Sequence, residues 1–172
     1  MVNRIKKMKK IVFFALFICA LVVPTILIVK SIQFTQQCEG YLKQAADAST
    51  PELALERLNY AIAYIEDHGL TEGYTSVFYK TEDENVGFWY TNLLECRNEL
   101  QNCLDKSQLE KTNVLMKTRE ALTDNGESGT KLTVPDGIYK FPHNFWWSLG
   151  LLLSLLYIIG YIIGLVLWIE KL

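Results

Sequence analysis

Two long apolar runs, Ile11 to Val29 and Phe145 to Ile169, bracket a polar middle. Each is long enough to cross a bilayer as a helix, which takes about 20 predominantly apolar residues. No Asp, Glu, Lys or Arg falls inside either run. Proton relays, ion paths and transport routes need ionisable groups within the membrane, so a transport role is not expected. The apolar core of the first run is longer than that of a signal peptide and has no A-x-A-like site after it. It therefore reads as an uncleaved anchor, with Pro24 expected to kink it.

Charge sets the orientation. The start of the chain carries Arg4, Lys6, Lys7, Lys9 and Lys10 without an acid. The middle holds 18 acids against 11 bases from Lys30 to Asn144. Basic residues beside the first span favour keeping that end in the cytoplasm, and a second span returns the C-terminus there. The expected organisation is a cytoplasmic tail (1–10), a first span (11–29), an outer domain (30–144), a second span (145–169) and a short cytoplasmic tail (170–172). The chain is thus expected to be a multi-pass protein of the cell membrane, its middle facing a periplasm, lumen or extracellular space. An acidic middle argues against nucleic acid as a partner.

The second span has aromatic anchors, Trp146 and Trp147 at one end and Trp168 at the other, and Asn144 stands where an N-cap would. Gly150 with Ser154, and Gly160 with Gly164, are small residues four apart. Such pairs let another helix backbone approach closely, so these four residues are the expected helix-pairing face, towards a partner membrane protein, a second copy or the first span.

Three helix starts recur in the middle: Ser49-Thr50-Pro51-Glu52, Thr81-Glu82-Asp83-Glu84 and Ser107-Gln108-Leu109-Glu110. Each places a hydroxyl three residues before a glutamate, as in a capping box. Three apolar stripes follow at helical spacing. They are Phe34-Cys38-Tyr41-Ala45, Leu55-Leu58-Ile62-Ile65, and Val86-Trp89-Leu93-Cys96-Leu100-Cys103. The third stripe fails at Ser107 and Glu110, which sets a break near 105–107 against the rival of one helix over 82–123. The expected helices are 31–47, 51–67, 82–104 and 107–123. Asp124 to Thr130 reads as a loop. Leu132 to Lys140 reads as a hairpin about Pro135-Asp136-Gly137, within roughly 131–141. The fold class is therefore an all-α membrane protein: two transmembrane helices flanking an extracytoplasmic helical bundle, with a small β-hairpin before the second span.

Chemistry is sparse. Cys38, Cys96 and Cys103 fall in the outer domain, where an oxidising compartment would permit a disulfide. Cys96 and Cys103 are about 10.5 Å apart along one helix, beyond disulfide reach. Small buried hydrophobes is the preferred reading of all three. Glu82-Asp83-Glu84 fits the first turn of a helix better than a calcium loop. His68 and His143 have no ligand at metal-site spacing. No nucleophile–base arrangement or phosphate-cradling glycine loop is present. No catalytic, metal or cofactor site is expected, and no small-molecule substrate is evident.

The densest unusual stretch is Gly69 to Tyr90. Within it Tyr74, Phe78 and Tyr79 form a candidate recognition loop, since Tyr and Trp often anchor partners or rest at headgroup level. The expected function is a non-enzymatic, membrane-anchored interaction or scaffold module. The alternative is a sensory input bundle. A two-span frame around an outer four-helix domain resembles, in architecture and through no shared motif, the input half of bacterial chemoreceptors. With only three residues after Ile169, such a bundle would have to signal through a partner membrane protein.

Overall fold

The computed structural model describes residues 2–126 and 129–169. It is mostly helical, and the chain divides into two compact units. One holds the two apolar helices, up to Lys30 and from His143 onward; the other is the middle, Ser31–Pro142. The basic residues of the first tail and Trp168 lie outside the residues whose side chains are described.

Helix α1 (Val2–Phe34) runs through Pro24 and passes directly into a π-helical turn, Thr35–Glu39, and then α2 (Gly40–Ala46). The expected boundary at residue 30 is thus not a break in the helix. The π turn also corrects the first stripe. Phe34, Cys38 and Ala45 are buried as expected, but Leu42 takes the place foreseen for Tyr41, which is only half-buried. A π turn closes over five residues instead of four, so the face downstream rotates by about one position.

Helix α3 spans Pro51–Asp67, as expected, but its cap falls one residue later than the capping pattern implied. Thr50, not Ser49, is the N-cap: its hydroxyl accepts from the Leu53 N–H at 3.3 Å. Pro51 explains the shift. It holds the preceding residue extended, and Thr50 has φ −134° and ψ 149°. The helix ends in a Schellman motif, with Leu70 N–H donating to the Ile65 carbonyl (2.8 Å) and Gly69 N–H to that of Glu66 (3.1 Å). Gly69, at φ 65°, supplies the left-handed residue this ending needs.

Helix α4 (Val86–Asn102) starts four residues after the expected 82. Glu82–Glu84 is a separate 3₁₀ turn, where Thr81 Oγ1 donates to the Glu84 carboxylate at 2.6 Å instead of capping a backbone N–H. Asn85 is the true cap, accepting from Phe88 N–H at 3.0 Å. All six residues of the expected stripe, Val86 to Cys103, are buried. The break before α5 (Gln108–Leu122) is present, and Ser107 and Glu110 form a full capping box.

The hairpin lies elsewhere than expected. Strands β1 (Thr123–Gly126) and β2 (Gly129–Leu132) pair antiparallel, with Thr123 opposite Leu132 and Asp124 opposite Lys131. The segment read as a loop forms this ladder; its tip at 127–128 lies outside the described residues. Pro135 to Ile138 closes a turn that feeds a 3₁₀ segment, Ile138–Lys140, whose Ile138 is buried. With Pro135 lacking an N–H and Ile138 drawn into the core, that segment cannot supply a second strand. Helix α6 (Asn144–Ile169) follows. Asn144 is its first residue, and Trp147 N–H donates to the His143 carbonyl at 3.0 Å, so the cap falls at His143.

The middle core joins Phe34, Cys38 and Leu42 to Leu58, Ile62 and Ile65 of α3 and to the α4 stripe. Fully buried Ala54 and Ala61 let neighbouring helices come close to α3. Tyr90 Oη adds a hydrogen bond to Glu66 Oε1 at 2.6 Å between α4 and α3. Helix α5 differs: its buried residues are Thr118 and Leu122, while Leu109 and Met116 are exposed. Ion pairs reach from it to Glu52, Glu99 and Asp47 through Lys111, Lys117 and Arg119.

Candidate functional site

The first candidate is the seam between the apolar helices. Proline 24 has no N–H, so the carbonyl four residues before it, that of Ala20, loses its helical donor. Ser154 Oγ of α6 donates to that same carbonyl. In an apolar surrounding, an orphan carbonyl costs several kcal/mol. The serine satisfies it from the neighbouring helix. One turn earlier, Gly150 faces Val23, where an added Cβ would stand 3.6 Å from Val23 Cγ1. An alanine fits there; a longer side chain would push the helices apart. Further along α6, Tyr157 Oη donates to the Phe13 carbonyl at 2.9 Å, and Tyr161 stacks on Phe17 at 4.4 Å between centroids. At the other end the Lys30 ammonium sits 4.9 Å over the Trp147 ring, a cation–π contact.

The four small residues therefore divide. Gly150 and Ser154 are taken up by the first apolar helix of the same chain. Gly160 and Gly164 have no heavy atom within 4 Å of an ideal Cβ, so their surface is open.

The second candidate is the loop between α3 and α4. It is pinned at its base by Val86 N–H to the Gly73 carbonyl (2.9 Å) and Thr75 N–H to that of Glu84 (3.0 Å). These bonds form an isolated bridge that sets Tyr74 opposite Asn85, whose Nδ2 donates to Tyr74 Oη at 3.3 Å. Gly73, at φ 105°, brings the backbone against Phe141, whose ring would lie 3.0 Å from a Cβ. Tyr74 is thus partly structural, with Lys80 Nζ 5.1 Å over its ring. Phe78 and Tyr79 point the other way: each is 83% exposed. The sequence signalled the aromatic density, but not which rings the closed loop would expose.

The third candidate was missed in the sequence. A groove of about 450 Å³ opens between the start of α4, the end of α5 and residues 131–135, which lead out of the hairpin. Its residues span Glu82 to Pro135, and only folding brings them together.

The cysteines are free thiols, so none of the possible bridges among Cys38, Cys96 and Cys103 is formed. All three are buried, as core hydrophobes would be. Burial pushes the thiol of Cys96 up, with Glu99 nearby adding to it, and burial raises that of Cys103 too. Such thiols are poor nucleophiles. His68 stacks on Tyr64 at 3.9 Å. No group of three or more His, Cys, Asp and Glu among the described residues could hold a metal.

No protein family, curated protein or solved structure matches this chain.

Proposed function

We propose that the chain is a membrane-anchored, non-enzymatic interaction module whose outer loop, through Phe78 and Tyr79, recognises a partner protein. The observation that carries this reading is the pair of rings, each 83% exposed on a loop whose base is fixed by backbone bonds. Folding gains nothing from rings held in water, and rigid exposed aromatics are the usual anchors of protein interfaces.

The membrane setting is part of the proposal. Two helices are long and apolar enough to span, and only 6% of the apolar window of each is buried. Surfaces such as Phe14, Ile18, Leu153 and Ile163 need a lipid cover. The basic start of the chain then belongs in the cytoplasm and the acidic middle outside. Thiol labelling of intact cells at a cysteine placed at the exposed position Thr112, with the native cysteines replaced, tests this. Protection until lysis would overturn the orientation.

A photocrosslinking residue at position 78 or 79, in native membranes, tests the loop. Adducts with one protein are expected at these positions and not at exposed Leu109. Adducts with lipid alone would overturn the reading. Open Gly160 and Gly164 allow a second contact within the bilayer, to another membrane protein or a second copy. Membrane crosslinks unchanged in Gly160→Ile and Gly164→Ile variants would remove it.

A sensory role has one specific observation in its favour: α1, the π turn and α2 follow one another without a break from Val2 to Ala46. Such a path can carry a small axial shift. A ligand that changed crosslinking between cysteines placed in α1 and α6 would support it; no change with any bound partner would count against it.

A further inference from the structure

We infer that the groove between α4 and the segment that leaves the hairpin, residues 131–135, binds a short peptide segment bearing large apolar side chains flanked by cations. The inference rests on the interaction-module reading and names the chemistry of what is recognised. The floor of the groove is apolar and buried: Leu93, Cys96, Leu122 and Pro135. Its walls are half-buried Leu132 and Val134 and the Phe88 ring, which is 61% exposed. The space, about 450 Å³, falls in the range of sites that take a few side chains or a small ligand.

Charge selects the occupant. Glu82, Asp83, Asp124 and Lys131 line the groove, all exposed. Lys131 stands opposite Asp124 in the ladder and offsets it. Glu82 and Asp83 are left over, neither ion-paired among the described residues. An apolar cleft with a net negative rim attracts a hydrophobic segment with lysine or arginine beside it, and repels an acidic one.

The backbone decides how the segment is read. Thr133 N–H is bonded to the Leu122 carbonyl and Val134 N–H to that of Leu132. Pro135 has no N–H. Positions 133–135 along the groove therefore offer no donors for an added β-strand, and recognition there falls to side chains.

The test uses the full chain in micelles and three blocked, fluorescein-tagged peptides read by fluorescence polarisation. One carries a Leu-Phe pair between lysines, the second the same pair between glutamates, and the third two serines between lysines. The first should bind saturably and the other two at least about tenfold more weakly. Phe88→Ala should weaken the first peptide about tenfold. The Glu82→Gln, Asp83→Asn double variant should weaken it roughly threefold and flatten its salt dependence. Leu109→Ala, away from the groove, should change nothing. Equal binding of the acidic and basic peptides, no saturable binding of the basic one, or binding indifferent to Phe88→Ala would each overturn the inference. Because Phe88, Glu82 and Asp83 are all exposed, these variants keep the fold; unchanged α4 amide protection would verify it. Loss of the groove with crosslinking at Phe78 and Tyr79 intact would leave the interaction-module reading standing.

Discussion

Each of the two units is held together internally, and by different means. In the middle, Leu42, Leu58, Ile65, Leu93 and Leu100 are removed from water, and apolar burial drives the packing. In the bilayer setting proposed above, that force would be missing between the apolar helices, because acyl chains are as apolar as leucine. There the specific contacts are small or polar: Gly150 against Val23, Ser154 Oγ on the Ala20 carbonyl, Tyr157 Oη on that of Phe13. The same hydroxyl-to-carbonyl bond on the surface of the middle, such as Thr112 Oγ1 to Gln108, competes with water and fixes little. Surroundings, more than bond type, set what a contact is worth.

The contrast can be broken at its strongest point first. Leu58→Ala removes a fully buried side chain and should destabilise the middle by about 3 kcal/mol, seen as a fall in the denaturant midpoint and in α3 amide protection. A much smaller loss would mean that apolar packing is not what holds this unit. Ser154→Ala should weaken the helix pair by about 1 kcal/mol in micelles. Its cost should shrink in a Pro24→Ala background, where Ala20 regains a helical donor. Equal costs in both backgrounds would show that the serine does not answer the proline.

A change of similar size but opposite sign is expected in α5. Thr118 is buried, and its hydroxyl has no partner among the described residues. Thr118→Val should therefore stabilise α5 by about 1 kcal/mol, measured as slower exchange of its amides. Destabilisation would mean that a water satisfies the hydroxyl. The smallest effect is the capping box of α5. Bonds from the Ser107 hydroxyl and then the Ser107 backbone hold the Glu110 carboxyl below its ordinary 4.5. Because the folded-state pKa is the lower one, this contribution is present above the unfolded value and fades as pH falls through the folded pKa. Fraying of the first turn of α5 should thus rise on acidification, and Glu110→Gln should flatten that rise. The same pH response in Glu110→Gln would assign the fraying to other carboxylates.

Much of the fold is legible in the residues. The α4 stripe from Val86 to Cys103 alternates three and four, and any helix carrying it must bury that face. The α3 and α5 ranges follow equally from local signals, since caps and apolar spacing are read within a few residues of chain. Where two local signals competed, the reading slipped by a few residues. Thr81 carried a capping pattern, but Asn85 sits where the stripe begins and takes the cap. Pro51 moved the α3 cap from Ser49 to Thr50. The hairpin was misplaced because Pro135-Asp136-Gly137 is a strong turn signal, while the ladder of Thr123 to Leu132 depends on how α5 ends: Thr133 N–H closes on the Leu122 carbonyl.

The sequence alone determined the two apolar helices, the acidic helical middle and the helix break before α5, because these rest on periodicity, composition and capping within short stretches. Tertiary structure alone decided three things. The π turn moved Leu42 into the place of Tyr41, since a helix takes on an extra residue only where its neighbours demand it. The loop closed so as to bury Tyr74 in part and expose Phe78 and Tyr79. The carbonyl released by Pro24 met Ser154, a partner 134 residues distant in the chain, and spacing within a sequence cannot express a contact of that range.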